Sequence, residues 1–205
     1  MRWMLVSLVA LLQTGPLPPA YPRAGTTKLF ENDRVVVWDI TWLKQPYPLH
    51  RHPSDMTGVY YADGDRIIIS EKGERRPVHT KAWDTTFQLK GVTHAEEGAS
   101  DAPLRAVFAE MKEPSASGVV PAEIAETTPV AFPAGGVTPL RDNERSLLWG
   151  FVPPPPAGAH RHLRDAVVIA FKGQKPTVSF TTRGTVHNNE KGAGGADRLY
   201  VIELK

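Results

Sequence analysis

Short runs of β-branched and aromatic residues, separated by turn-forming residues, extend over most of the chain. Residues 34–42 (RVVVWDITW), 57–61 (TGVYY) and 104–112 (LRAVFAEMK) are typical of strands, with turns at Asp63-Gly64 and Lys72-Gly73. No window shows a sustained helical stripe, and the best helix candidate, residues 121–126, is short. The pattern therefore predicts an all-β fold.

The order of these elements is repeated. Residues 31–34 (ENDR) correspond to residues 142–145 (DNER), 111 positions later, and Trp38 corresponds to Trp149. Toward the end of each copy the separation falls to 93 positions, as between Glu110 and Glu203. The sequence therefore predicts a duplicated unit in which a hairpin of variable length is longer in the first copy, because loops absorb such changes at low cost.

Six of the seven histidines follow this duplication. Each copy has a His-Arg-His sequence and a later Gly-x-x-His sequence, which together contribute His50, His52 and His94 in copy one and His160, His162 and His187 in copy two. Two histidines one residue apart lie on the same face of a strand, so both can reach one metal ion. Three imidazoles leave other metal positions open, and zinc, iron, copper, nickel and manganese all accept them. The remaining histidine, His79, is interpreted as a surface residue.

At these residues the sequence resembles the cupin superfamily, specifically a two-domain bicupin with three-histidine metal sites, over about residues 25–205. The resemblance implies two tandem cupin barrels, each a double-stranded β-helix with a divalent metal ion inside. The predicted domains are a signal peptide at 1–20, cupin domains at 25–113 and 129–205, and a linker at 114–128.

The sequence departs from the family at the metal-binding glutamate, whose place is taken by Met56 or Thr57 in copy one and by Ala166 or Val167 in copy two. This departure weakens an assignment to the glutamate-dependent activities of the family. Nearby aspartates follow each histidine pair. Asp55 and Asp165 could reach the metal if the strand is kinked. We favour the alternative, in which each aspartate caps a turn by accepting backbone N–H groups.

Tyr61 is the candidate catalytic side chain. Counting in twos from Thr57 places Val59 and Tyr61 toward the barrel interior, where the second copy has Val167, Ile169 and Phe171. Tyr61 is then the one polar group on that strand, and a core tyrosine is the alternative. Because copy one also has the longer hairpin, which can form a lid, we expect copy one to carry any activity.

Composition narrows the function classes. The chain has 24 Lys+Arg against 22 Asp+Glu without a basic cluster, which argues against nucleic acid as a partner. It has no cysteine, so disulfides, thiolate metal sites, cysteine nucleophiles and a lipoprotein anchor are excluded. No hydrolase nucleophile elbow, P-loop or dinucleotide-binding fingerprint occurs. We expect a monomer or homodimer that acts on or binds a small molecule.

The N-terminal residues are typical of an export signal. Arg2 precedes ten uncharged, mostly apolar residues, 3–12, which are too few to span a bilayer but fit a signal peptide. Cleavage near Gly15, Ala20 or Ala24 is compatible with the sequence, and a buried N-terminal helix is the alternative. Nothing later in the chain is apolar enough to form a stable membrane anchor, so we expect a periplasmic or secreted protein.

Together these features predict an exported metal-binding bicupin with a mononuclear site in each barrel. The leading function is a metal-dependent enzyme, dioxygenase-like or using other Lewis-acid chemistry, that acts on a small organic molecule able to coordinate the metal. The alternative is a non-catalytic module that binds a metal or a small ligand. A third interpretation, in which the histidines are core residues without a metal, accounts less well for a duplicated three-part pattern.

Overall fold

A computed structural model describes residues 16–113, 132–133, 137–156, 158–190 and 192–205. The predicted all-β fold is confirmed, since the described residues form antiparallel strands without an α-helix. The strands are β1 (Thr26–Glu31), β2 (Val35–Thr41), β3 (Pro46–Arg51), β4 (Asp55–Ala62), β5 (Gly64–Ile69), β6 (Arg75–Thr80), β7 (Thr85–Gln88), β8 (Thr93–Gly98), β9 (Arg105–Met111), β10 (Arg141–Asp142), β11 (Ser146–Phe151), β12 (His160–Arg161), β13 (Ala166–Lys172), β14 (Lys175–Thr181), β15 (Val186–His187) and β16 (Arg198–Leu204).

Strands β1 to β9 form an N-terminal unit of two antiparallel sheets. One sheet has the order β1-β2-β9-β4-β7 and the other has the order β3-β8-β5-β6. The chain passes between the two sheets as in a jelly roll, which is the double-stranded β-helix that the resemblance implies. Two of the predicted metal ligands, His50 and His94, lie on the neighbouring strands β3, at the edge of the smaller sheet, and β8.

Strands β10 to β16 form a C-terminal unit with the same plan but fewer strands. Its larger sheet, β10-β11-β16-β13-β14, matches the larger sheet of the N-terminal unit strand for strand. Its smaller sheet contains only the pair β12-β15, because β13 turns directly into β14 around Gly173. The β5–β6 hairpin therefore has no counterpart here among the described residues, which accounts for the shorter spacing between the histidines of copy two.

Each unit buries an apolar layer between its sheets. In the N-terminal unit this layer includes Trp38, Trp42, Tyr60 and Phe108, together with Tyr21 from the segment before β1. The backbone N–H of Arg51 donates to the Pro18 carbonyl at 3.0 Å, which holds that segment against β3. The first fifteen residues of the predicted signal peptide lie outside the described residues, as do the predicted linker and the helix candidate at 121–126. The described residues contain no helix long and apolar enough to cross a membrane.

A third buried layer joins the two units, and it corrects the predicted orientation of β4. Val59 and Tyr61 pack with Val167, Ile169 and Phe171 of the other unit. The prediction that these residues face the barrel interiors is wrong, because the outward faces of β4 and β13 are buried against each other. The Tyr61 hydroxyl lies in this layer and donates to Asp39 Oδ1 at 2.5 Å. No described contact brings Tyr61 to the histidines, and the interior positions of β4 belong to Met56 and Tyr60.

Two equivalent ion pairs cross the same interface, each joining an arginine of one unit to an aspartate of the other. Arg34 of the N-terminal unit lies 3.3 Å from Asp165, and Arg145 of the C-terminal unit lies 2.8 Å from Asp55. The second oxygen of each aspartate accepts a backbone N–H, from Lys90 in one unit and from Arg183 in the other. The interpretation of both aspartates as turn-capping groups is therefore confirmed, and both of their oxygens are engaged away from the histidines.

Phe171→Ala tests whether the two units form one cooperative structure. Phe171 is fully buried and contacts Tyr61 and Trp83 across the interface. We expect the substitution to lower the free energy of unfolding by about 3–5 kcal/mol, because it leaves a cavity in the shared layer. Urea unfolding followed by far-UV circular dichroism and tryptophan fluorescence should show one coincident transition before and after the change.

The matched control is Leu89→Ala, at a side chain that is 55 % exposed, where the change should stay within about 0.5 kcal/mol. Two separate transitions, with Phe171→Ala moving only the one that belongs to the C-terminal unit, would contradict the shared core.

Candidate metal centre

The N-terminal unit brings His50, His52 and His94 together, as predicted. His50 on β3 lies directly opposite His94 on β8, and His52 follows the end of β3. The ring centroids are 4.7 to 5.3 Å apart, and one nitrogen from each ring lies within 4.8 Å of the others. All three side chains are buried. This geometry is that of three imidazoles able to bind one ion from the same side.

The C-terminal unit repeats the arrangement with His160, His162 and His187. His160 on β12 lies opposite His187 on β15, at a centroid distance of 4.2 Å. Glu190, three residues after His187, completes a four-residue group whose ligand atoms lie within 4.8 Å of one another. His162 and Glu190 are buried, whereas His160 and His187 are partly exposed. This site therefore has a fourth donor and greater access than the first.

The glycines of the Gly-x-x-His sequences explain how the third histidine is placed. Gly91 and Gly184 both have positive φ, 85° and 75°, a conformation that favours glycine. Their backbone N–H groups donate to the carbonyls of His52 and His162 at 2.8 Å. Each turn thus fastens the strand of the third histidine to the end of the histidine pair.

Backbone carbonyls orient several of the rings. His50 Nδ1 lies 3.0 Å from the Pro48 carbonyl, His160 Nδ1 lies 2.8 Å from the Gly158 carbonyl, and His187 Nδ1 lies 3.0 Å from the Asn189 carbonyl. Donation from Nδ1 leaves Nε2 as the metal-binding atom. The Nε2 atoms of His50, His52 and His187 are buried without a hydrogen-bond partner among the described residues. Convergent, unpartnered imidazole nitrogens fit a divalent metal ion.

Burial keeps the N-terminal triad neutral. Desolvation lowers the pKa of His52 to about 3 and that of His94 to about 4, and it also lowers the pKa of His50. Neutral imidazole is the form that binds metals. The first site is therefore already in its ligating protonation state near neutral pH.

A buried carboxylate beside this triad is already paired with cations. Glu96 Oε1 lies 3.7 Å from His94 Nε2, but Arg23 and Arg66 lie 2.9 and 3.1 Å from its two oxygens. Burial alone would raise the pKa of Glu96, but the two guanidinium groups lower it to about 2. Trp42 donates a further hydrogen bond at 3.0 Å. Glu96 therefore remains charged and is held by arginines.

The carboxylates of the C-terminal site are paired with the histidines themselves. Glu190 Oε1 lies 2.9 Å from Nε2 of both His160 and His162, and Glu203 Oε1 lies 3.2 Å from His162 Nδ1. Burial alone would lower the pKa of His162, but these two carboxylates raise it to about 9. The pKa of Glu190 is lowered, because hydrogen bonds from His162 and His160 outweigh its burial. The second site thus offers carboxylate charge to a bound cation.

A cavity of about 290 Å³ adjoins the C-terminal site, close to the lower end of the range for small-ligand pockets. Its wall is mainly apolar, and His160 and Glu190 lie at its polar part. The Phe132 ring, which also lines it, is 4.5 Å from the His162 ring. The described lining residues are Phe132, Pro133, Val137, Phe151, Pro154, Pro155, Pro156, Gly158, Ala159, His160, Asn188, Asn189, Glu190, Ala193 and Leu199.

Sequence reasoning placed all six histidines but missed the glutamates. Glu96 had a usable signal, because it lies two residues after His94 on β8 and so shares its face. Glu190 had none, because it follows the short strand β15 in a loop without periodicity. The exposed side chain of His79, hydrogen-bonded to Asp65, agrees with its interpretation as a surface residue.

Comparison with known proteins gives structural neighbours only. No family model matches the sequence, and no curated protein matches it. A cupin domain from Bordetella pertussis Tohama I is 22 % identical, with a TM-score of 0.40 over 48 % of this chain and 99 % of that one. The polyketide cyclase RemF from Streptomyces resistomycificus is 16 % identical, with a TM-score of 0.36 over 43 % of this chain and 64 % of that one. KdgF from Halomonas sp. is 14 % identical, with a TM-score of 0.34 over 44 % and 84 %.

The metal-free protein should be most stable near pH 6.5, and its stability should fall on both sides. The pKa values of His52 and His94 are lowered in the folded chain, so between about pH 4 and 6.5 these histidines are protonated in the unfolded chain but neutral in the folded one. Because the unfolded chain binds more protons in this range, the free energy of unfolding falls as the pH falls. The contribution of His162, whose folded pKa is about 9, is complete below pH 6.5 and is lost as the pH rises to about 9.

Urea midpoints measured from pH 4 to 9.5 with a chelator present would check this profile. His162→Gln should flatten the alkaline limb, whereas His79→Gln, at an exposed side chain, should leave the profile unchanged. A stability that continues to rise above pH 7 would be inconsistent with a charged His162.

Proposed function

We propose that the C-terminal unit is a mononuclear metal centre that acts on a small, uncharged and largely apolar molecule held in the adjoining cavity. The observation that carries this proposal is the shared wall, since His160 and Glu190 belong both to the cavity and to the four-residue metal-binding group. In this proposal His160, His162 and His187 bind the ion. Oxygenase-like or other Lewis-acid chemistry is what a divalent ion with open positions supplies.

The chain's own residues have distinct parts in this proposal. Glu190 is the one carboxylate among the described lining residues, and its Oε2 is buried and has no hydrogen-bond partner in the described parts of the chain. It is therefore the candidate fourth ligand or the group that takes a proton from the substrate. The described lining residues include no Lys or Arg, so an anionic substrate would find no opposite charge in this wall. Phe132 and Phe151 would hold an apolar body and exclude water.

This proposal moves the activity from the copy that the sequence favoured. The β5–β6 hairpin was expected to form a lid over the N-terminal site, but it completes the smaller sheet and the triad beneath is buried. Tyr61, the candidate catalytic residue, lies in the layer between the units and has no part in the proposed site. We assign the N-terminal triad a second, less accessible metal site. A binding module without turnover is the alternative, since metal and cavity serve both roles.

Metal-loaded protein should show turnover that depends on the C-terminal site. The chain, loaded in turn with iron(II), zinc, manganese, nickel or copper, would be screened against small diketones, thiols and phenols by oxygen uptake and product mass, with carboxylic acids as the anionic class that should give no turnover. Elemental analysis should find two ions per chain. We expect Glu190→Gln and His187→Ala to abolish a hit, because they alter the proposed centre, and His94→Ala to retain it.

Ala193→Phe is a matched test of the cavity, because Ala193 lines it without belonging to the metal group. It should block turnover while leaving the metal content unchanged. Loss of activity in His94→Ala alone would assign the chemistry to the N-terminal unit. Saturable ligand binding without turnover would favour the binding module.

Export to the periplasm or the cell exterior is also part of the proposal. The apolar run at residues 3–12 supports it, and the burial of Ala20 and Tyr21 favours cleavage near Gly15 over cleavage after Ala20 or Ala24. Cell fractionation with N-terminal sequencing should find the exported chain starting close to Pro16. An intact Met1 on a cytoplasmic protein would overturn the export proposal.

A further inference from the structure

Both units contain the same buried group of an indole, a carboxylate and the second histidine of the pair. The N-terminal unit has Trp38, Glu110 and His52, and the C-terminal unit has Trp149, Glu203 and His162. The strand register confirms the equivalence, because Trp38 pairs with Phe108 and Trp149 pairs with Val201, in each case two residues before the glutamate. The two groups can therefore be compared atom by atom.

The N-terminal unit shows the bond between indole and carboxylate. Trp38 Nε1 donates to Glu110 Oε2 at 2.9 Å. The other oxygen, Oε1, is buried without a hydrogen-bond partner among the described residues, and both ring nitrogens of His52 are in the same condition. The N-terminal unit thus contains an acceptor, Glu110 Oε1, and a ring that can donate, His52, and both lack a hydrogen-bond partner among the described residues.

The C-terminal unit shows the bond between carboxylate and imidazole. His162 Nδ1 lies 3.2 Å from Glu203 Oε1. Here the indole Nε1 of Trp149 is buried without a hydrogen-bond partner among the described residues. Each unit therefore forms one of the two hydrogen bonds that the same three residues can make, and the two oxygens of a carboxylate can accept both at once.

The central histidine is the one that needs such a partner. A histidine that binds a metal through Nε2 carries its proton on Nδ1, and a buried N–H without an acceptor is costly. His50, His160 and His187 place Nδ1 against backbone carbonyls. For His52 and His162 no such carbonyl contact is found among the described residues, whereas a carboxylate acceptor makes a stronger, charge-assisted bond.

We propose that Glu110 and Glu203 are equivalent positioning residues that accept the Nδ1–H of His52 and His162 and so direct Nε2 of each ring to the metal. Trp38 holds the second oxygen of Glu110, and the unpartnered Nε1 of Trp149 would take the same role toward Glu203 in the metal-bound site. With a metal bound, the free Oε1 of Glu110 would accept a hydrogen bond from His52 Nδ1–H, as Glu203 Oε1 already does from His162. This role rests on the metal binding proposed above, although not on any activity.

The first test is cobalt(II) affinity at each site alone, measured by absorption with a competing chelator. His187→Ala leaves the N-terminal site for study, and His94→Ala leaves the C-terminal site. In these backgrounds Glu110→Met and Glu203→Met should each weaken binding by about 10- to 100-fold, the range found for partners that orient metal-bound histidines. Glu110→Gln and Glu203→Gln keep a carbonyl acceptor and should recover most of the affinity. Glu74→Met, at an exposed side chain, is the control.

The second test observes the proton itself. With zinc bound and histidine labelled with ¹⁵N, NMR should show His52 and His162 protonated at Nδ1 and bound through Nε2, with both Nδ1 protons protected from exchange. In the Glu110→Gln and Glu203→Gln variants, the histidine should still be protonated at Nδ1, but this proton should exchange with solvent faster than in the unaltered chain. This measurement on the unaltered chain holds even if a methionine variant fails to fold.

The outcomes separate this inference from the proposed function. Wild-type protein that binds no cobalt(II) would overturn the metal centres and this role together. Metal binding that is unchanged in both methionine variants, with only the unfolding temperature lowered, would overturn the positioning role and leave the metal centres intact. A zinc-bound His52 protonated at Nε2 would also overturn it.

Discussion

The packing of the two larger sheets against each other is the constraint on which the rest of this molecule depends. Strand β4 is buried along nearly its whole length, and so is β13, because one face of each strand lies inside its own barrel and the other face lies between the units. The reciprocal ion pairs of Arg34 with Asp165 and Arg145 with Asp55 surround this layer with matched charges. Such mutual contacts are the form that a two-fold interface takes, here within one chain.

This arrangement also explains which parts of the units were free to diverge. The larger sheets are held by the shared core, and they match strand for strand. The smaller sheets lie on the far sides, where the N-terminal unit keeps four strands and the C-terminal unit keeps two in the described residues. The C-terminal unit lacks a counterpart of the β5–β6 hairpin in its described residues but keeps the histidine strands β12 and β15. In this unit a cavity lies beside His160. The two units thus have equivalent histidines but differ in the access to them.

The fold and the six histidines were predictable from the sequence because both depend on local periodicity. Alternation in strands and glycine at the turns before His94 and His187 act over a few residues, and the repeat of the whole pattern along the chain showed that the two sets of histidines correspond. The orientation of Tyr61 was not predictable in this way. When both faces of a strand are buried, alternation separates Tyr60 from Tyr61 but does not say which faces the barrel and which faces the other unit. Glu190 was not predicted as a site residue for a different reason. It lies in a loop, where the position of a side chain depends on tertiary contacts and not on the periodicity of the sequence.

The two sites also differ in what a bound cation would have to displace. Glu96 is held by two guanidinium groups and an indole, and breaking a buried ion pair costs about 3–5 kcal/mol. It is therefore poorly placed to turn toward an ion at the N-terminal triad. Glu190 is hydrogen-bonded to the ligand atoms themselves, Nε2 of His160 and His162. A cation held by these nitrogens would have the carboxylate charge beside it, and the described cavity wall has no arginine to neutralise that charge. The two centres therefore differ less in their imidazoles than in the partners of the nearby carboxylate, which are arginines for Glu96 and the histidines themselves for Glu190.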